Sequence, residues 1–286
     1  MLDGTTNTEG VGLAGSPQPI AYDEGWDPAF IDMATANMAH TATLGLPEVD
    51  IVRPHDTKAL IVGSSPSLPS QFETIKKLKA EGAKIFAIND AMTFLVERGV
   101  IPDCCVIFEI CDDVSVVLKQ VHPDITYYVC SMCHPSTFRK LLFNKVVVWH
   151  LDSDQEAHQD LLGKFENPIA IGGGTYTFTR TLPVALVLGY RDFEIFGTDC
   201  SQPDEGSSHY FGEVNYNGSP MKIRAAATNG EEITFTTRPP WARQADEFRR
   251  MCKLHHHMFK CKVHGNGLLH WIHSTMYPQF YQESEQ

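Results

Sequence analysis

The stretch Lys58-Ala-Leu-Ile-Val-Gly63-Ser64-Ser65-Pro66-Ser67-Leu68 decides how this chain is read. Ala59 to Val62 run apolar without a polar break and stop at a glycine. A strand without polar–apolar alternation is buried on both faces, as in a parallel sheet covered by helices. Gly63 permits a tight turn, Ser65 is a capping residue and Pro66 suits a first helical position. Gln71 to Glu81 follows with helical spacing in Phe72, Ile75 and Leu78.

Outward from this strand–turn–helix unit the same pattern repeats. Lys84 to Ile88 reads as a strand and Ala91 to Arg98 as a helix. Cys104 to Phe108, Thr126 to Cys130 and Lys145 to Trp149 read as strands, with Val114 to Val121 and Pro135 to Leu142 as helices between them. Tyr176 to Leu188 is apolar nearly all round and predicts a central helix, kinked at Pro183; Phe193 to Phe196 is the next strand. The expectation is an α/β fold, a mostly parallel sheet with helices on both faces. Residues 1–20 read as a tail and 21–57 as a helical appendage and linker, the latter patterned by Phe30, Met33 and Met38. The main domain spans 58–275, with an insertion at about 200–238, and 276–286 form a second tail. The insertion holds a hairpin, Lys222 to Thr236, turning at Asn229-Gly230. Pro239-Pro240 open a helix with the apolar stripe Trp241, Ala245, Phe248, Cys252 and Phe259, and Lys260 to Val263 is the last strand.

Composition narrows the function. The chain of 286 residues carries 23 Lys+Arg and 35 Asp+Glu, a net charge of −12. That excludes a general coat for nucleic acid, and equally a basic membrane-surface helix. The longest apolar run, Leu182 to Tyr190, has nine residues, and Met1 to Ser16 carries no basic or apolar leader pattern. Eight scattered cysteines, several in apolar runs, read as reduced thiols and place the protein in the cytoplasm. Residues 238–262 hold seven Lys/Arg against Asp246 and Glu247, leaving −17 for the remainder. This is either a solvated helix face or a basic wall that steers an anionic donor.

In parallel α/β sheets ligands sit past the C-terminal ends of strands. Gly63, Ser64, Ser65, Pro66 and Ser67 form either an anion-binding turn or a well-capped βα turn. Asn89 and Asp90 follow the second strand, where such side chains meet ribose hydroxyls; Asp90 also suits a helix cap. Gly172, Gly173, Gly174 and Thr175 precede the central helix and let a ligand approach the backbone. Asp199 suits Mg²⁺ or general-base work, or it organises the insertion. His209 could meet a phosphate or move a proton, and Glu213 lies in the same insertion. Cys130-Ser-Met-Cys133-His134 has haem-attachment spacing, but attachment requires export, so no haem is expected. Cys252, His255, Cys261 and His264 imitate a zinc spacing, yet Cys252 lies on the apolar stripe and helix and strand separate the pairs; the reading goes against zinc.

Taken in order, Gly63-x-x-Pro-Ser-Leu68, Asn89-Asp90, Gly172-Gly-Gly-Thr175, Leu188-Gly189-Tyr190, Gly197-Thr-Asp199, His209 and His264-Gly-Asn-Gly resemble the 6-hydroxymethylpterin diphosphokinase MptE-like family over roughly residues 58–270. A more distant resemblance is to bacterial sialyltransferases and motility accessory factor glycosyltransferases. The resemblance implies a Rossmann-like fold and a transferase with a nucleotide-activated donor. It implies phosphate contacts at Ser64, Ser65 and Ser67, a nucleotide contact at Asn89, and donor or acceptor contacts along Gly172 to Thr175, with Asn266 and Gly267 joining the site. Asp199 would hold Mg²⁺. The sialyltransferase string ends in a basic His where this chain, Ser208-His-Tyr-Phe-Gly-Glu213, has Glu, so Glu213 or His209 takes the part of the base. The first expectation is diphosphoryl transfer from ATP or GTP to a pterin alcohol. The alternatives are glycosyl transfer from a nucleotide-sugar and a non-catalytic nucleotide- or partner-binding module. The implied partners are a nucleotide and a small-molecule acceptor, with room for a homo-oligomer.

Overall fold

A computed structural model describes residues 27–203, 210–211, 219–226, 230 and 232–282. The chain divides into two compact units. One holds residues 27–63 and Thr74–Phe193, the other Ser64–Glu73 and the chain from Glu194 onward. The expected tail at 1–20, His209, Glu213 and Asn229 lie outside the described residues.

The first unit is an α/β layer structure. Helix α1 (Pro28–Thr41) starts at Asp27, whose side chain accepts from the Ala29 N–H at 2.9 Å. Strand β1 (Lys58–Val62) is buried from Ala59 onward. After α2 (Leu68–Ala80), which runs across the division of the units, come β2 (Lys84–Ile88), α3 (Ala91–Glu97), β3 (Cys104–Ile107), α4 (Val114–Val117), β4 (Thr126–Cys130), α5 (Pro135–Lys140) and β5 (Lys145–Leu151). Then follow α6 (Glu156–Leu162), β6 (Ala170–Ile171) and α7 (Thr177–Val187). Strands β1 to β6 pair in chain order, each parallel to the next. Continuous burial of β1 and β3 fits a sheet covered on both faces. The fold is Rossmann-like.

Polar side chains help anchor the appendage. Asn37, buried on α1, donates through Nδ2 to the carbonyls of Ile110 and Met132 at 2.9 and 3.0 Å. The following linker pairs with β5, Val49 N–H to the Val148 carbonyl and Val148 N–H to that of Pro47. Glu48 accepts from the backbone N–H groups of Glu166 and Asn167 and meets His150 Nε2 at 3.1 Å. Helix α7 packs over β1, β2 and β3.

The second unit carries the outer part of β7 (Asp192–Phe196) beside β10 (Lys260–Val263), and a separate antiparallel hairpin of β8 (Met221–Ala226) and β9 (Glu232–Thr237). Helices α8 (Pro239–His255) and α9 (Leu268–Met276) and a short 3-10 turn (Pro278–Phe280) complete it. The hairpin buries Ile223 against Ala242 of α8.

Three expectations change. Helix α2 starts at Leu68, and Pro66 sits inside a turn closed by the Leu68 N–H and the Ser65 carbonyl at 3.0 Å, so it is not the first helical residue. Helix α4 ends at Val117, one turn long, with Leu118 already at φ −130°. Helix α6, the two-residue β6 and helix α9 are additions to the sequence reading.

Candidate functional site

In the second unit the loop after β1 is tied to the residues after β7. The Ser65 N–H donates to the Gly197 carbonyl at 2.9 Å, and the Asp199 N–H to Ser65 Oγ at 2.8 Å. Asp199 Oδ1 accepts from Ser67 Oγ at 2.6 Å and Oδ2 from the Ser67 N–H at 3.2 Å. Gln71, one turn into α2, closes the ring. Its Nε2 donates to Ser67 Oγ at 2.8 Å, and its Oε1 accepts from the Gly197 N–H at 2.9 Å. Thus the hydroxyls of Ser65 and Ser67 are both engaged by Asp199.

The loop after β10 presses on the same carboxylate. A Cβ added at Gly267 would stand 2.6 Å from the Asp199 Cβ and carbonyl oxygen. Gly265 has φ +105°, and a Cβ there would stand 2.8 Å from Gln71 Nε2. Here two glycines are required by close approach and, at Gly265, by a left-handed backbone. Asn266 between them is exposed. The Leu269 N–H donates to the Asp199 carbonyl, and the Leu268 N–H to Ser201 Oγ. Asp199 is 7% exposed, and burial pushes its carboxyl above the ordinary value while the Ser67 bonds and His270 pull it down. The geometry therefore makes Asp199 the clasp of three loops. A Mg²⁺ ion at this carboxylate would meet two oxygens already accepting from Ser67, inside a wall of backbone, so the residues as placed do not fit that ion.

At the open edge of this hub, Ser64 is half-buried, and its carbonyl accepts from the Tyr210 N–H at 2.9 Å. Behind it His264 Nε2 meets Glu194 Oε2 at 2.7 Å, and the His264 ring stacks on Phe196 at 4.1 Å.

The first unit gathers a different set at the C-terminal ends of its strands. Gly63 closes β1. Asn89 follows β2 in the left-handed region at φ +47°. Its N–H donates to the Val106 carbonyl of β3, while its side-chain Oδ1 is enclosed with no hydrogen-bond partner among the described residues. Asp90 stands at the N-cap of α3 but makes no side-chain cap bond. Thr177, first residue of α7, donates through Oγ1 to the Phe108 carbonyl just past β3 at 3.4 Å. So Asn89 and the N-terminus of α7 both adjoin the end of β3. Before α7, Gly172 and Gly173 are exposed, and Gly174, Thr175 and Tyr176 are half-buried. Gly173 has its own structural reason. At φ +138° its Cβ would stand 2.8 Å from Pro183 Cγ, so the ring of the in-helix proline occupies that space. Gly172 has no such neighbour closer than Asp152 Oδ2 at 3.9 Å.

The post-strand rule also covers a residue the sequence reading passed over, Glu109 after β3. Its carboxylate, the Cys111 thiol and the Asp113 carboxylate offer ligand atoms within 4.8 Å of one another. Burial pushes Glu109 up, and the Cys111 N–H, donating to Oε1 at 3.2 Å, opposes this. Gln71 is equally hidden, because one of its two partners, the Gly197 N–H, lies 126 residues away and only folding joins them.

The other motifs land as structure. Cys133 Sγ accepts from the Glu109 N–H, and His134 caps α5 by accepting from Ser136 N–H. The arginines of α8 are paired within the helix. Buried Asp246 accepts from Arg249 Nε and Nη2 at 2.9 and 2.7 Å and from Arg250 Nη2 at 2.7 Å, and Arg243 meets Glu247 at 3.2 Å. Among the described residues no helix is long and apolar enough to cross a membrane.

No curated protein matches this sequence. The solved Maf glycosyltransferase from Magnetospirillum magneticum AMB-1 is similar in fold, with TM-score 0.62 and 19% identity over 82% of this chain and 36% of that one. This chain thus spans little more than a third of that protein's length. Two mammalian sialyltransferase structures align at 8% and 9% identity with TM-scores of 0.44 and 0.43, over 85% and 92% of this chain and 87% and 92% of theirs. Residues 34–205, well over half of the 286, match the family described as 6-hydroxymethylpterin diphosphokinase MptE-like, and the chain belongs to that family.

Proposed function

We propose that this protein is a transferase using a nucleotide-activated donor, held in the first unit at the ends of β2 and β3. The observation that carries the reading is Asn89, whose amide oxygen is enclosed and unpartnered at a strand end. An unmade bond of this kind costs about 1–3 kcal/mol, which a ribose hydroxyl would recover once the amide turns out of the wall to meet it. The N–H groups from Gly172 to Thr175, at the start of α7, suit the donor's phosphates.

The family description favours diphosphoryl transfer. An acceptor hydroxyl would attack the β-phosphorus of ATP or GTP, and the nucleoside monophosphate would leave with the bonding electron pair. The hydroxyl proton would pass to a base, for which His209 and Glu213 are the sequence candidates. The backbone N–H groups would stabilise charge on the phosphoryl oxygens. Glycosyl transfer is the second reading. It is favoured by the engagement of both Asp199 oxygens, which leaves the expected metal ligand unsuited to Mg²⁺, and it agrees with the glycosyltransferase name of the Maf structure.

Thermal unfolding with ATP, GTP, CMP and UDP, each with and without Mg²⁺, tests the reading. A raised Tm that disappears in Asn89→Ala is expected. ATP or GTP acting only with Mg²⁺ selects diphosphoryl transfer, and CMP or UDP acting without metal selects glycosyl transfer. No shift with any of the four would sink the nucleotide reading and favour a binding module that has lost chemistry.

A further inference from the structure

We propose that the turn between α5 and β5, Leu141-Leu142-Phe143-Asn144, is a contact by which this protein rests on the surface of an anionic lipid bilayer. The Asn144 N–H donates to the Leu141 carbonyl at 2.8 Å, so Leu142 and Phe143 stand at the two corners of the turn. Corner positions ordinarily carry Gly, Pro, Asn, Asp or Ser. Here they carry two large apolar side chains, 71% and 94% exposed. The turn is held from both sides. Leu141 is buried, and Asn144 donates through Nδ2 to the His122 carbonyl at 3.1 Å, in the loop before β4. That loop adds Val121, also exposed, next to His122 in the chain. Folding gains almost no burial from Phe143, and a fixed apolar tip of this kind marks a contact surface.

The charge around the tip says what the contact is. Lys140 ends α5 and Lys145 opens β5, so the tip lies between two lysines. Among the described residues neither is paired with a carboxylate. By contrast Lys79 and Lys84, near the start of β2, are both taken by Asp103, at 2.9 and 3.0 Å. Arg139 adds a third exposed cation, which shares the field of Asp112. Asp124 is the acid of the neighbouring loop, 3.9 Å from His122 Nδ1. Charges act over about 8 Å at physiological salt, so this local cationic excess is felt at the tip while the acidic total of the chain is screened. An apolar pair framed by lysines matches the boundary of an anionic bilayer, where the side chains enter the acyl region and the ammonium groups meet phosphate. The contact is a turn, neither a span nor the basic amphipathic helix that the net charge argues against.

A second copy fits less well, because a two-fold contact through this tip would bring the same lysines face to face. The tip also stands at the N-terminal ends of the parallel strands β4 and β5. The proposed nucleotide site lies at the opposite, C-terminal ends of β2 and β3, so a bilayer under the tip would leave that site open to its substrates.

Co-sedimentation of the full chain with vesicles of phosphatidylcholine and about one-third phosphatidylserine, against phosphatidylcholine alone, tests the contact. The protein should bind the mixed vesicles, and bind them more weakly as salt rises. Leu142→Ser and Phe143→Ser together should weaken binding roughly tenfold or more, with unchanged Tm because both side chains are in solvent. Lys145→Gln should weaken it about fivefold. Leu254→Ser, a comparably exposed apolar residue on α8, should bind as the native protein does. So should Asn89→Ala, which separates this proposal from the nucleotide reading. Failure to sediment with the mixed vesicles, or undiminished binding in the doubly substituted turn, would overturn it. So would self-association that the double substitution abolishes in a protein that ignores vesicles, since the turn would then belong to a second copy.

Discussion

Gly267 shows how one residue can fix a hub. Its missing side chain lets the loop after β10 lie on the Asp199 backbone, at a distance no Cβ tolerates. Gly267→Ala should cost roughly 1–3 kcal/mol by forced displacement. Urea unfolding would show it as a lowered midpoint, and an unchanged midpoint would mean the loop is free to move. His273 yields a second residue-scale expectation. Burial, helped by the nearby charge of His270, lowers its pKa from 6.5 to about 4. The unfolded chain therefore binds the extra proton between those values, and the folded protein does not. The stability contribution is complete above pH 6.5 and is lost as pH falls toward 4, amounting to about 3 kcal/mol. Unfolding midpoints at pH 7 and pH 4.5, compared between the native protein and His273→Gln, check it. Equal pH slopes in the two would refute it. Neither behaviour was legible beforehand. The sequence offers Gly267 as a nucleotide-site residue through the family resemblance, and its packing reason lies 68 residues upstream, at Asp199.

Elements are where the sequence spoke most clearly. Strands β1, β2, β3 and β4 begin at Lys58, Lys84, Cys104 and Thr126, the starts expected from the sequence, because each opens onto a run with no charged residue inside it. Helix α9 stayed hidden because its start, after His264-Gly-Asn-Gly, is capped by Gly267 without a side-chain bond and carries no capping residue to announce it. Strand β6 is two residues long, too short to show any period. Helix α8 is legible in outline, and its charge leaves two readings open in the sequence, a solvated helix face or a basic wall. Asp246, 1% exposed, pairs with two of the arginines, Arg249 with a side chain 15% exposed and Arg250 with one 41% exposed. Asp246→Ala would leave Arg249, with a side chain 15% exposed, without its carboxylate. The expected loss is about 3 kcal/mol, in the range found when one partner of a buried pair is removed. Thermal unfolding reads it, and a variant with native Tm would show that water replaces the carboxylate there.

At the scale of the whole chain, the acidic total of −12 still excludes a nucleic-acid coat, yet it does not bar an anionic substrate from the proposed site, where backbone N–H groups would meet it. The more consequential property is discontinuity. The second unit combines Ser64–Glu73 with the chain from Glu194 onward, so a ten-residue excursion supplies half of its central hydrogen-bond ring. Ser65, Ser67 and Gln71 all come from that excursion, and Gly197 and Asp199 from the later piece. A fragment beginning at Glu194 would keep α8, β10 and α9 but would leave the buried Asp199 carboxylate and the Gly197 N–H without the partners they have in the intact protein. A buried carboxylate stripped of its hydrogen bonds costs more than a domain of this size can spare. The fragment 194–286 should therefore show no cooperative urea transition by circular dichroism. Adding a synthetic peptide of residues 58–80, which contains the missing loop and α2, should restore part of one in a concentration-dependent way. A cooperative transition in the fragment alone, with a midpoint near that of the whole protein, would show that the ring through Asp199 is dispensable. The loop after β1 would then be left to a ligand rather than to the fold.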